Sequence, residues 1–309
     1  MIKTVTEGGV KATLLTHSVY KGGPPIASWE VEFPRFILSE YNTHRQHSKN
    51  AASSRAIPIL TQLKQIMAEP AMPSFFGKNQ SGMSAKEEIE DVEEAKRIIL
   101  WMRDCCEMGV NRLHGLGLHK QTANRYIEPW QTVKGVITAT EFENFFYLRD
   151  HEAAQPEIAI LARCMRECLE HSTPTELKDG EWHLPYIDSE LDIDGVQRHY
   201  FCSEENLSLE DAIKISASMC AQVSYRKADE SLEKAMKIYD MLVNMKPVHA
   251  SPFEHQATPM SIPKQKYGHW GQEGTTHLDA DSSFWSGNLK GWVQNRQLIK
   301  GHVYKSEAK

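Results

Sequence analysis

Between Tyr41 and Ala68 the chain carries no aspartate or glutamate, a gap of 28 residues. The same stretch holds Arg45, Lys49, Arg55 and Lys64, together with His44 and His47. Ser48, Asn50, Ala51, Ala52, Ser53 and Ser54 are interleaved among them. Small residues let a bound anion approach backbone N–H groups, and serine or asparagine side chains add donors. Arginine adds a planar fork that grips a phosphate through two bonds. The segment is therefore built like an anion or nucleotide site. The competing reading is a solvated loop that happens to lack acids.

Other chemistry-bearing residues are less telling by type alone. Arg149 follows the aromatic run Phe142, Phe145, Phe146 and Tyr147, where an arginine commonly snorkels from a core edge. The aromatics themselves read as core. His249 and His255 flank Ser251-Pro252-Phe253-Glu254 and fit satisfied structural histidines as well as ligands. His114 and His119 are poorly spaced for a metal, and no metal site is expected. The six cysteines form no C-x-x-C pair, so they read as reduced packing residues, and no spacing singles out a nucleophile.

These side chains need elements to position them. Val10–Thr16 and Ser28–Leu38 read as strands separated by the turn-like Lys21–Pro25, and Lys134–Thr140 is a further β-rich run. Pro70–Ser84 reads as a loop. Ser84 with Glu87 makes a capping box, after which Ile89, Val92, Ile98, Ile99 and Met102 recur at helical spacing. Leu118–Tyr126 reads as a helix stopped near Pro129. Pro156 opens a helix to His171 with the stripe Ile158, Leu161, Met165 and Cys168. Ser208 with Asp211 starts another helix, and Ser231–Asn244 is a further one. Gly180–Tyr200 reads as an irregular connection, Lys264–Ser286 as a long surface loop and Trp292–Lys300 as helix-like. Strands and helices without strict alternation predict an α/β (α+β) fold, a mixed sheet with flanking helices.

Composition narrows the function classes. Apolar residues make up 40% and charged residues 25%, which suits a globular chain with a substantial core. The net charge of −6 argues against a protein that coats nucleic acid. Mean hydropathy is −0.50 and charges interrupt every segment, so no membrane contact is expected. The first residues carry a glutamate and a Gly-Gly pair where a secretory signal needs an apolar run, and a cytoplasmic location is expected.

The residues also carry a resemblance. His44-Arg45-x-x-Ser48-x-Asn50-x-x-Ser53-x-Arg55 resembles the signature RHRxxSxNExSxR of the flavin-dependent thymidylate synthases (the ThyX family). Thr43 stands in place of its first arginine and Ala51 in place of its glutamate. His249-Ala250-Ser251-Pro252-Phe253-Glu254-His255 is similar to the family's H-x-[TS]-P-F-E-H segment, and Ala221-Gln222-Val223-Ser224-Tyr225 to its ARVSY. Asn124–Pro129, Asn144–Arg149 and Ala154-Gln155-x-Glu157-Ile158 resemble further family elements. The H-x-S-P-F-E-H segment usually precedes the arginine-rich signature, whereas here it follows by roughly two hundred residues. The resemblance therefore implies a ThyX-like fold with circularly permuted connectivity, tolerable where the original termini are exposed and close. It also implies that the strand ending near Thr258 packs beside Glu32–Leu38. Segments from both ends of the chain serve one site, which favours a single catalytic domain over 1–309. Residues 175–210 and 262–309 match nothing in the family and remain unassigned.

The family methylates dUMP to dTMP, with methylenetetrahydrofolate as carbon donor and FAD relaying hydride from NADPH. By resemblance, Arg149 is the catalytic cation, polarising the uracil as it becomes anionic. The dUMP set is Ala51, Ser53, Ser54, Arg55, Arg125 and Arg149. Glu40 stands where a glutamine usually touches the nucleotide. The FAD set is Thr43, His44, Arg45, Asn144, Ser224, His249, Ser251 and Glu254. Thr138 and Thr140 replace an asparagine and an arginine, and Lys134 or cations of the C-terminal segment are candidates to compensate. The family assembles as a homotetramer with sites shared between subunits. Two alternatives stay open: a diverged, for example hydroxymethylating, pyrimidine-nucleotide enzyme, and a non-catalytic nucleic-acid-binding module.

Overall fold

Alternating apolar positions set the central sheet. In the computed structural model, which describes residues 3–202, 204–224, 231–260 and 272–304, Val10, Ala12 and Leu14 turn inward along one strand. The chain runs through β1 (Thr4–Glu7), β2 (Val10–Tyr20), β3 (Ile26–Pro34), a 3-10 turn, and the one-turn helix α1 (Leu38–Tyr41). It continues with β4 (Ser48–Ala51), α2 (Ile59–Ala68), α3 (Val92–Gly115), α4 (Lys120–Ala123), β5 (Thr132–Ala139), α5 (Glu143–Arg149) and α6 (Pro156–Glu170). Then follow β6 (Thr175–Leu177), β7 (Asp188–Leu191), β8 (Gln197–Phe201), β9 (Glu204–Leu207), α7 (Leu209–Ala221) and α8 (Leu232–Asn244). The last elements are β10 (Ala257–Pro259), β11 (His277–Leu278), β12 (Phe284–Ser286), β13 (Leu289–Lys290) and β14 (Trp292–Gln294).

The main sheet has the order β1-β2-β3-β5-β4, antiparallel throughout, with β6 added parallel to β2. Helix α6 covers one face: its stripe Ile158, Leu161, Met165 and Cys168 is fully buried among Val10, Trp29 and Ile137. Trp29 Nε1 donates to the Met165 carbonyl at 3.2 Å. Each such side chain contributes roughly 1.5–3 kcal/mol by leaving water. The fold is thus mixed α/β with flanking helices, as the unalternating pattern predicts.

Several boundaries differ from expectation. Strand β3 stops at Pro34, which has no N–H to continue the ladder; Arg35 N turns to the Gln131 carbonyl instead, and Arg35–Tyr41 is helical. The capping box at Ser84 is unused. Residues 76–89 fold back on themselves (Lys78 N to Glu87 O, 2.7 Å; Ile89 N to Phe76 O, 2.9 Å), and Asp91 caps α3 by accepting from Glu94 N. Pro129 lies inside a 3-10 turn, Asn124–Trp130, rather than ending a helix. Residues 180–200 are not wholly irregular: β7 and β8 form a hairpin whose turn places Gly195 at φ +71°. Of the expected loop 264–286, residues 264–271 lie outside the described residues, and the rest contains the β11–β12 hairpin. Trp292–Lys300 is strand followed by a 3-10 turn, because Trp292 is buried against Ile26 and Ala257 and pairs edgewise with β10.

Strand β10 does not lie beside Glu32–Leu38. It pairs with β14 and bridges His183, while Glu32 is already paired to Lys11 on β2 and Lys134 on β5. Both edges of β3 are occupied there, so no strand can add to it.

Candidate active site

The acid-free stretch begins at the C-terminal end of α1, crosses a turn and enters β4, the edge strand of the sheet. That turn meets α5 across a cavity of about 410 Å³ lined by Thr43, His44, Arg45, His47, Asn144 and Arg149 among others. Arg149 Nε donates to His44 Nε2 at 2.8 Å, and its NH1 pairs with the Glu40 carboxylate. His44 accepts from a guanidinium, so its own N–H sits on Nδ1. Burial, then Arg149 and Lys49, push its pKa down to about 4, which keeps it neutral. His47 is buried and pushed down to about 3, first by burial and then by His44 and Lys49. It exchanges a 3.0 Å hydrogen bond with the Tyr41 hydroxyl. Arg45 is exposed, and no described residue pairs with its guanidinium. The Thr43 hydroxyl is spent on the Glu40 carbonyl at 2.8 Å.

The expected phosphate loop lies at the other end of β4. Ser54 Oγ and Arg125 NH1 both donate to Glu128 Oε1 at 2.7 Å, and Arg35 Nε stands 3.3 Å from the same oxygen. Asn124 Nδ2 pins the carbonyls of Ser54 (2.7 Å) and Ile57 (2.9 Å), leaving its buried Oδ1 without a partner. Ser53 Oγ accepts from Arg55 N. Ala52 N is taken by the Lys134 carbonyl and so is withdrawn from the expected cradle of N–H groups. Arg55 is exposed and has no ion pair among the described residues.

The third group lies on the opposite face of β4, because strand side chains alternate. Ser251 Oγ approaches Asn50 Oδ1 (3.4 Å) and His249 Nε2 (3.3 Å), while Asn50 Nδ2 donates to the Cys220 carbonyl at 2.7 Å. Ser224 ends a 3-10 turn, Gln222–Ser224, that packs against β4 and β5; its side chain and Tyr225 lie outside the described residues. Glu254 pairs with Arg296, and burial raises its pKa against the pull of Arg296 and Lys49.

The C-terminal segment, which sequence reasoning left unassigned, clamps this face. Ser48 Oγ donates to Asn288 Oδ1 at 3.0 Å, and Asn288 Nδ2 to the Gln46 carbonyl at 2.9 Å. Gln294 Nε2 reaches Ser48 Oγ, the Glu254 carbonyl and Asn288 Oδ1. Lys290 N donates to Thr140 Oγ1. Thr138 is likewise consumed, in a buried chain: Ser18 to His183 (2.9 Å), His183 to Ser28 (2.8 Å), Ser28 to Thr138 (2.6 Å) and Thr138 to His255 (2.9 Å). His255 Nε2 has no partner among the described residues. Three of the cations expected to compensate are engaged elsewhere: Lys134 pairs with Glu30, Lys290 stands near Glu141 and Asp279, and Arg296 holds Glu254.

The cavity thus gathers Thr43, His44, Arg45, Asn144 and Arg149, with Glu40 on Arg149. Ser53, Ser54, Arg55 and Arg125 gather separately, and His249, Ser251 and Glu254 sit across β4. Arg35, Glu128, Asn288 and Gln294 were not singled out as site residues. Their partners lie up to 246 residues away, and no local pattern marks them.

No protein-family model matches the chain, and no curated protein matches it. Among solved structures it is similar to a UMP/dUMP methylase PolB from Streptomyces cacaoi bound with 5-Br dUMP, at 16% identity and a TM-score of 0.39. The likeness covers 47% of this chain and 66% of that one, just under two thirds of its length.

Proposed function

We propose that the chain is a flavin-dependent thymidylate synthase of permuted, ThyX-like connectivity that methylates dUMP to dTMP. The observation that carries this reading is the contact between Arg149 and His44. It joins two segments with family motifs, about a hundred residues apart, at one cavity. In this reading Arg149 polarises the uracil carbonyl in a partly buried setting where a cation acts strongly. Glu40 neutralises that cation in the free protein, so a nucleotide must compete with Glu40 for Arg149. Arg55, with the N–H groups of Ser53 and Ser54, takes the phosphate; Arg125 reinforces the loop through Glu128.

The donor set fits a flavin in two parts. His44, Asn144 and the unpaired Arg45 offer donors suited to a ring edge and a pyrophosphate, while Ser251 and His249 would hold the rest from the other face of β4. When bound, FAD supplies hydride transfer from NADPH. Completion of the two half-sites across subunits of a homotetramer accounts for their separation within one chain. Thr43, Thr138 and Thr140 provide no cation, so the product could differ from dTMP in a diverged enzyme.

Incubation with FAD, dUMP, methylenetetrahydrofolate and NADPH, with the nucleotide identified by mass, tests the reading. dTMP supports it, and a hydroxymethyl product selects the diverged enzyme. A protein that neither carries nor takes up FAD sinks both. Arg149→Ala should lower turnover by about 10²–10³-fold while flavin stays bound; undiminished activity removes Arg149 from the catalytic role.

A further inference from the structure

One side chain beside the cavity-lining His44 stands at an unspecified position of the motif, between Ser48 and Asn50. Lys49 occupies the centre of β4 and points to the face opposite Ser48 and Asn50. Its ammonium lies 2.6 Å from the His44 carbonyl, 3.3 Å from that of Asn42 and 3.4 Å from that of Tyr41. It also stands 5.2 Å from the centre of the Tyr41 ring. An ammonium has three N–H donors, and here each has one carbonyl. Those carbonyls lie at and just beyond the C-terminal end of α1, where backbone acceptors favour a cation. The turn has few other bonds: Thr43 N and His44 N close onto Glu40 and Tyr41, His47 N makes a long one to His44 at 3.4 Å, and Asn288 Nδ2 holds the Gln46 carbonyl.

We propose that Lys49 is a positioning residue that locks the Tyr41–His44 turn and so sets His44 and Arg149 for ligand. The proposal deepens the flavin-nucleotide reading and rests on it for the identity of the ligand. It does not rest on it for the ordering of the turn. Lys49 stands in for the rigidity that Thr43 cannot give, since the Thr43 hydroxyl only closes onto Glu40 within the same turn.

The charge state of this group is unusually easy to isolate. Burial pulls the Lys49 pKa down to about 8, against the opposing pull of Glu254. The titratable and charged groups around it are Tyr41, His44, His47, Glu254, Arg149 and Arg296. Tyr41 is raised well above its usual value by burial, and His44 and His47 are held at about 4 and about 3. The Glu254 carboxyl is raised from an ordinary value of 4.5, and guanidinium groups stay charged. Between pH 7 and 9.5, Lys49 is therefore the group of this cluster that titrates.

The test compares the full chain with Lys49→Met and Lys49→Arg, using FAD as probe and flavin fluorescence as readout from pH 6.5 to 9.5. Lys49→Met should weaken FAD binding at pH 7 by at least about tenfold, with Lys49→Arg close to the parent. Parent affinity should fall through pH 8, whereas the arginine variant, which cannot lose its proton, should stay level. A purely structural lysine gives the same pH profile in parent and arginine variant, and that result overturns the proposal. Amide hydrogen exchange of residues 42–47 without ligand supplies a readout independent of the proposed function. Faster exchange in Lys49→Met but not Lys49→Arg upholds the positioning role even if no FAD binds, in which case the flavin reading alone fails. Unchanged exchange in Lys49→Met overturns it.

Discussion

Three buried histidines should make the protein acid-sensitive to a degree that can be worked out beforehand. His183 and His255 are wholly buried and His47 nearly so, and burial, the largest cause in each, pushes all three down to about 3. A histidine in the unfolded chain titrates near 6.5. Between pH 6.5 and 3 the unfolded chain therefore binds more protons than the folded one. The stability these groups allow is complete above pH 6.5 and is lost as pH falls. From pH 7.5 to pH 5 the loss is about 2 kcal/mol per histidine, hence about 6 kcal/mol for three. A typical domain has only about 5–15 kcal/mol in all.

Urea unfolding followed by tryptophan fluorescence at pH 7.5, 6 and 5 measures this directly. Near pH 5 these three histidines should contribute about 4 kcal/mol per pH unit to the change in stability, the slope for three protons, beside the share of His44. His255→Leu should cut that slope by about a third, because Thr138 keeps Ser28 as a partner and His255 Nε2 had none to lose. A midpoint that does not move between pH 7.5 and 5 would refute the claim that these imidazoles are buried and neutral.

Three substitutions test other parts of the arrangement. Glu40→Gln removes the charge that neutralises Arg149, and dUMP affinity measured calorimetrically should rise about fivefold; weaker binding would mean that Glu40 itself holds the nucleotide. Gly291 has φ +70°, and an added Cβ would lie 2.8 Å from Pro24 Cδ and 2.9 Å from Tyr20 Oη. Gly291→Ala should therefore cost about 1–3 kcal/mol in urea unfolding. Asn288→Ala removes the acceptor of the Ser48 hydroxyl and the donor to the Gln46 carbonyl, leaving Gln294 on Ser48, and should cost about 1–3 kcal/mol; a neutral result would show that Asn288 does not brace the site.

Local sequence signals served well where one element decides its own structure. Ser208 caps α7 by accepting from Asp211 N, Pro156 opens α6, and the α6 stripe is buried as its spacing requires. They failed where a distant partner decides. Pro34 ends β3 because Gln131 captures the next N–H, and Trp292 becomes strand because β10 offers an edge. The candidate residues followed the same rule. His44, Asn144 and Arg149 could be picked out by motif and do share a cavity, but nothing near residue 54 announces that Glu128 will hold Ser54, Arg125 and Arg35 together.

The distribution of the candidate residues follows from the place of β4 in the sheet. β4 pairs with β5 alone among the described strands, so its outer edge is where the sheet's two faces come closest. Lys49 faces the turn that carries His44, while Ser48 and Asn50 face Asn288, Cys220 and Ser251. A ligand touching both His44 and Ser251 must cross that edge or meet the second set on another copy of the chain. The C-terminal clamp covers the Ser48 end of the same edge, and Asn50 is tied down by Cys220, leaving the turn before Ser48 as the exposed approach. In the proposed reading a ligand depends on the rigidity of that turn, and Lys49, with its donors on three carbonyls, supplies it together with Asn288 on the Gln46 carbonyl.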